Sequence, residues 1–152
     1  MHKIATRRDI LGAAGAAAAV MVMRPAQATP QAMKQAMAVV TGGAPVKTGK
    51  IKLELPPLVE NGNAVAMAVR VDSPMTAQDH VKAIHVFTEK NPQPNVISIK
   101  LGPRAGKADV QTRIRLADTQ QVVALCELSD GSFWSDHVDV ILTLSACLED
   151  PV

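Results

Sequence analysis

The sequence predicts an all-β chain, one antiparallel sandwich preceded by a short helix. Three observations carry that expectation. From Lys50 onward the apolar residues recur with a period of two, the spacing of strands. Turn signals break this pattern every ~8–12 residues, the rhythm of an antiparallel sandwich. The 152 residues are 47% hydrophobic but only 2% aromatic, with no Tyr. One domain can therefore bury a core, and that core rests on Val, Ile, Leu, Met and Ala.

Residues 1–28 stand apart from this pattern. Thr6-Arg7-Arg8-Asp9-Ile10 precedes an uncharged run of thirteen residues, Leu11 to Met23, and Pro25-Ala26-Gln27-Ala28 offers a small-x-small cleavage site after Ala28. A charged start, a short apolar run and an Ala-x-Ala end describe a secretory leader; a membrane span would need ~20 apolar residues. The pair Arg7-Arg8 points to the twin-arginine route, which carries folded proteins, and to the oxidising periplasm. A general secretory leader with a fortuitous Arg-Arg pair is the alternative.

Thr29 suits a helix N-cap and Pro30 the first helical position; Met33, Met37 and Val40 recur at helical spacing, and Gly42-Gly43 ends the run. A helix is expected over residues 30–41. Ile51, Leu53 and Leu55 alternate with Lys50, Lys52 and Glu54 as a first strand, stopped by Pro56-Pro57. Glu60-Asn61-Gly62-Asn63 reads as a turn. Residues 64–71 are nearly all apolar and read as a central strand buried on both faces. Residues 81–88 and 96–101 are further strands, separated by the loop Asn91-Pro92-Gln93-Pro94. After the basic loop 102–106, Val110, Thr112, Ile114 and Leu116 alternate on one face. Residues 122–128 and 134–146 form a hairpin about Asp130-Gly131, expected as a two-residue turn. Seven strands result.

Removing residues 1–28 takes away Lys3, Arg7, Arg8, Arg24 and Asp9, leaving 12 basic and 13 acidic residues. A near-neutral domain with no basic run and almost no aromatics does not fit nucleic acid or an anionic membrane surface.

Two cysteines remain, Cys126 and Cys147. In an oxidising compartment a disulfide is the plain expectation. A two-residue turn would set Cys126 opposite Ser135 and put Cys147 ~40 Å further along at ~3.3 Å per residue, whereas disulfide Cα atoms lie within ~7 Å. A kink or a longer loop would rescue the bridge. Cys126 has the parity of Ala124 and Leu128 and reads as a small core residue. Cys147 has the parity of Ser145, Thr143 and Asp139, opposite to Val138, Val140, Leu142, Leu144 and Ala146, so it is expected on the solvent side near the chain end.

Other chemistry is sparse. His80 and His85 are five residues apart with no acid or Cys cluster, so no metal is expected. Met33, Met37, Met67 and Met75 are scattered and read as core rather than copper ligands. Neither a Gly-x-Ser-x-Gly nucleophile turn nor a phosphate loop occurs. Lys100, Arg104 and Lys107 surround a Gly-rich loop that either draws an anionic substrate or acidic partner or is simply solvated.

Several segments in order resemble the SoxY family: the twin-arginine leader, Glu60-Asn61-Gly62-Asn63-Ala64-Val65, Asp72-Ser73-Pro74-Met75, His85-Val86-Phe87, Asn91-Pro92, and Leu116-Ala117-Asp118 through Gly131-Ser132-Phe133. The resemblance covers roughly residues 30–147. It implies an immunoglobulin-like antiparallel β-sandwich with a short N-terminal helix, pairing with a second sandwich protein, SoxZ, and no enzymatic activity or cofactor of its own. It also divides the chain into a leader (1–28), helix and linker (29–49), sandwich (50–147) and tail (148–152). In the family a C-terminal Gly-Gly-Cys-Gly-Gly arm carries thiosulfate-derived sulfur between periplasmic enzymes, and Cys147 falls on that cysteine. Ser145, Ala146, Leu148 and Glu149 replace all four glycines, which removes the conformational freedom of such an arm, and Glu149 and Asp150 put negative charge beside the sulfur. Two accounts follow: a divergent carrier loading sulfur on Cys147, or an accessory SoxZ-binding subunit that has lost the swinging arm. The strand surface and the methionine-bearing helix are expected to serve the heterodimer.

Overall fold

A computed structural model describes residues 28–144. Helix α1 spans Pro30–Thr41, as expected from the sequence. Thr29 Oγ1 accepts from the Ala32 N–H (3.1 Å) and Gly42 ends the helix in the left-handed region (φ 61°), a conformation glycine adopts without a Cβ penalty. Nine strands follow among the described residues: β1 (Val46–Lys47), β2 (Ile51–Glu54), β3 (Leu58–Asn61), β4 (Val65–Val71), β5 (Val81–Thr88), β6 (Asn95–Lys100), β7 (Ala108–Ile114), β8 (Gln120–Leu128) and β9 (Phe133–Leu144).

The strands form two sheets. The larger runs β1-β9-β8-β5-β6, with β3 also on β9; the smaller runs β2-β4-β7. β1 and β3 pair in parallel with the two ends of β9, Val46 opposite Phe133 and Leu58 opposite Ile141. Between them the chain crosses to the other sheet as β2, antiparallel to β4. The crossing is tied back twice: the Leu53 N–H donates to Asp136 Oδ2 (2.9 Å) and the Ile141 N–H to the Pro57 carbonyl (2.8 Å). Pro56-Pro57 therefore does more than stop a strand. It turns the chain back to the large sheet, where β3 begins.

Val69, Val81, Ile84, Val86, Leu116, Val122, Ala124, Cys126 and Val140 are all at most 1% exposed and pack between the sheets. A second cluster lies on the outer face of the large sheet, where Met33 of α1 seats against Phe87, Val123, Leu125 and Phe133. Helix and small sheet thus cover opposite faces of β5 and β8, which accounts for the nearly continuous burial of residues 83–88, where only His85 is half-buried, and of residues 122–126. Burial of Met33, 3% exposed, stabilises the docked helix by roughly 2 kcal/mol.

Four expectations are corrected. β4 is buried on one face only: Val65, Met67, Val69 and Val71 point inward, while Ala66 and Arg70 are exposed and Ala68 half-buried. Alanine is small enough to read as core or surface, and three alanines gave that stretch its apolar look. Second, the hairpin loop has three residues. Leu128 N–H donates to the Ser132 carbonyl (3.0 Å), Gly131 N–H to the Leu128 carbonyl (3.0 Å), and Gly131 sits at φ 80°. A type I turn followed by a left-handed glycine accommodates the extra residue. Cys126 therefore faces Trp134, not Ser135. Third, β1 and β3 were not foreseen, and Glu60 and Asn61 belong to β3 rather than to a turn; β1 has two exposed residues and β3 buries only Val59, so neither shows the alternation that revealed β2. Fourth, the methionines of α1 pack on the chain's own sheet, Met33 buried and Met37 half-buried, so any surface the helix offers is its other face, where Val39 is exposed.

Candidate functional site

The sequence directs attention to the end of β9, because Cys147 lies three residues past Leu144. Cys147, Arg7 and Arg8 lie outside the described residues; Ala28 is the first described one. What is described is the platform at the end of β9, up to Leu144.

That platform is firmly built. β3 holds the edge of β9 to its end, with Val59 opposite Leu142 and Asn61 opposite Leu144. Thr143 Oγ1 donates to the Glu60 carbonyl (3.3 Å), and on the other side the Leu142 N–H donates to Thr119 Oγ1 (2.9 Å). Beneath lies Gly62, in a short 3-10 turn, Gly62–Ala64, capped by Asn61 Oδ1 accepting from the Asn63 N–H (2.8 Å). A Cβ on Gly62 would lie 2.2 Å from the Leu116 carbonyl oxygen and 2.9 Å from Leu142 Cδ2. The glycine is required by close approach, since its own carbonyl accepts from the Leu116 N–H (2.9 Å).

On the outer surface of this platform lie two large apolar side chains. Leu58 is 60% and Ile141 57% exposed, and they are paired across β3 and β9. Glu60 and Asp139, two residues along on the same faces, are exposed beside them, and Gln121 Nε2 donates to Asp139 Oδ1 (3.0 Å). Sequence reading missed this patch. Its signal was Ile141 itself, an isoleucine on the wet parity of the last strand.

Cys126 behaves as a core residue. It is a free thiol, 0% exposed, between Ile84 and Trp134 on the neighbouring strands. Burial pushes its pKa up to about 11, so almost no thiolate forms at neutral pH.

The remaining candidates are not brought together. His80 Nδ1 lies 3.1 Å from the Thr76 carbonyl and His85 Nδ1 2.8 Å from Ser98 Oγ. Burial holds His85 below its ordinary range, opposed by Glu127 and aided by Lys100. No group of three or more His, Cys, Asp or Glu side chains suited to a metal occurs among the described residues. Met33, Met67 and Met75 are buried and Met37 half-buried, packed in the core or under the helix. Lys100, Arg104 and Lys107 are exposed and in no ion pair among the described residues. Lys47 and Lys50 each place Nζ 5.5 Å from the Trp134 ring centre, a cation–π pair that sequence reading did not foresee. An open groove of about 760 Å³ lies on the outer face of the small sheet, over Ala66 and Ala68 between Glu54 and Arg113. It belongs to the sheet that does not contain β9.

Comparison with known proteins covers most of the described residues. The family model described as sulfur oxidation protein SoxY matches residues 36–147. The sulfur carrier protein SoxY from Chlorobium limicola f thiosulfatophilum is 26% identical, with a TM-score of 0.64, over 76% of this chain and 100% of that one. Superoxide reductases share the fold alone. The neelaredoxin of Ignicoccus hospitalis is 17% identical (TM-score 0.56, 76% of this chain, 94% of that one), and that of Archaeoglobus fulgidus in its reduced form 13% (TM-score 0.53, 64% and 98%). Among curated proteins none matches.

Proposed function

The chain belongs to the SoxY family of sulfur oxidation proteins, and from that premise we propose that it is an exported sulfur carrier holding its cargo on Cys147. One observation carries this reading: the family match extends from residue 36 to residue 147, ending on that cysteine. The 26% identical relative from Chlorobium is itself described as a sulfur carrier. The buried Cys126, with its pKa near 11, is unsuited to the role, which leaves Cys147 to fill it.

Loading joins the Cys147 sulfur to the outer sulfur of thiosulfate. An S–S bond forms, the thiol proton leaves, and two electrons pass to an acceptor. This protein supplies the handle, and a separate partner enzyme takes the electrons and carries out the later hydrolytic steps. No helix among the described residues is long and apolar enough to cross a membrane. The leader with Arg7-Arg8, cut after Ala28, sends the domain to the periplasm. The Leu58–Ile141 patch, flanked by Glu60 and Asp139, is the surface for a SoxZ-like sandwich partner with an apolar contact and basic rim.

A second reading has its own support. β9 is still paired at Leu144, and glycine is absent from residues 145–149, so the segment around Cys147 lacks the residues that give a swinging arm its reach. On that reading the chain is a SoxZ-binding accessory subunit. Intact-mass spectrometry of the periplasmic protein from cells oxidising thiosulfate separates the two. A sulfur, sulfonate or thiosulfonate adduct abolished by Cys147→Ser is the expected result. A bare thiol at position 147 under those conditions overturns the carrier reading and leaves the accessory one.

A further inference from the structure

The junction at which the leader is cut is built into the fold. Ala28 is 6% exposed, and its N–H donates to the Asn91 carbonyl (2.9 Å). Asn91 is buried and fixed on its other sides. Its Nδ2 donates to the Arg115 carbonyl (2.7 Å), and its Oδ1 accepts from the Ala117 N–H (3.0 Å) and from Gln120 Nε2 (3.0 Å). The loop after β5 and the loop before β8 thus form one rigid seat for Ala28.

The other side of the same peptide bond is also engaged. Thr29 is the N-cap of α1: Oγ1 accepts from Ala32, and its carbonyl accepts the Met33 N–H (2.9 Å). Met33, 3% exposed, anchors that first turn on Phe87, Val123, Leu125 and Phe133. A leader-cutting protease reads small side chains on an extended strand and takes the alanine methyl into its own pocket. Here the methyl is already buried, the N–H already donated and the next residue, Thr29, already committed as the N-cap of a helix that starts at Pro30.

We propose that the folded domain masks its own processing site, so that removal of the leader after Ala28 requires Ala28 to leave Asn91 and the first turn of α1 to unwind. This rests on the export reading above but not on any property of Cys147. Cleavage then follows the population of a locally opened form, not the accessibility of the closed one. It also leaves Thr29 with a new ammonium at a helix N-terminus, where positive charge is unfavourable. The leader-bearing chain is therefore docked more firmly at this point than the cut one.

The test uses the full-length precursor, its fold verified by the fluorescence of the single Trp134, incubated with signal peptidase I and followed by mass spectrometry. The reference is a synthetic peptide of residues 18–36. The folded precursor is expected to be cut after Ala28 at least ten-fold more slowly than the peptide. Met33→Asp, which unseats the first turn of α1 from outside the sandwich core, is expected to recover most of that rate. A folded wild-type precursor cut as fast as the peptide overturns the proposal, and this comparison needs no variant. A peptide that is left uncut, or is cut elsewhere, overturns it too. Failure of the carrier reading appears instead in the mass of residue 147, which this experiment does not read.

Discussion

At the scale of single residues, Gly62 and Cys126 show how identity and position divide the work. Nothing in Asn61-Gly62-Asn63 distinguishes a turn glycine from a packing glycine, because the demand comes from Leu116 and Leu142, more than fifty residues away. Gly62→Ala is expected to destabilise the protein by about 3 kcal/mol, the upper part of the range for overpacking, because the clash is with a backbone carbonyl that cannot turn aside. The loss reads out as a lower urea midpoint at unchanged slope. Cys126 was legible as core from its parity alone, since Ala124 and Leu128 share its face. Its cross-strand partner was not. One extra loop residue moves the pairing from Ser135 to Trp134, and Asp130-Gly131 fits a two-residue and a three-residue hairpin equally well. The correction makes the parities consistent, because Cys126, Trp134, Val138 and Val140 now share the inner face. It also keeps odd-numbered residues of β9 on the outer face, with Ile141 and Thr143 exposed.

At the scale of elements, sequence succeeded where caps and periods are local and failed where burial is decided from both sides. Helix α1 announced itself at both ends, Thr29-Pro30 and Gly42-Gly43, and its bounds followed. β4 was misjudged because Ala66 and Ala68 do not say which way they face, whereas β8 is covered on both faces only because α1 lies over Val123 and Leu125. No pattern within β8 reveals the helix that covers it. The helix therefore contributes to the sheet as well as to itself. Met33→Ala is expected to cost about 2–3 kcal/mol, the lower part of the range for truncating a buried methionine. Because Met33 belongs to the outer cluster, the loss falls first on the protection of helix amides against hydrogen exchange, while the core strands β5 and β8 keep theirs. Equal loss of protection in both would mean that helix and sandwich open as one unit.

At the scale of the whole molecule, the large sheet has an inner face closed by β2, β4 and β7 and an outer face closed in part by α1, while the β3–β9 corner has no cover among the described residues. That corner also holds the last described residue of β9, Leu144, three positions before Cys147 in the sequence. Leu58 and Ile141 expose apolar area that folding alone does not require, since their strands are already fixed by Thr119, Val59 and the Gly62 contact. Substituting both, Leu58→Ser with Ile141→Thr, is therefore expected to leave the unfolding free energy from urea titration within about 0.5 kcal/mol of wild type, as exposed positions usually do. The same pair is expected to weaken association with a SoxZ-like partner by at least ten-fold, because central apolar contacts carry most of the energy of an interface. Added salt is expected to weaken wild-type association as well, since Glu60 and Asp139 line the patch and attraction between exposed charges is screened. Titration calorimetry of wild type and double variant at two salt concentrations reads both effects. Unchanged affinity of a folded double variant would move the docking surface to another face of the sandwich, and with it the geometry by which a partner reaches the chain end.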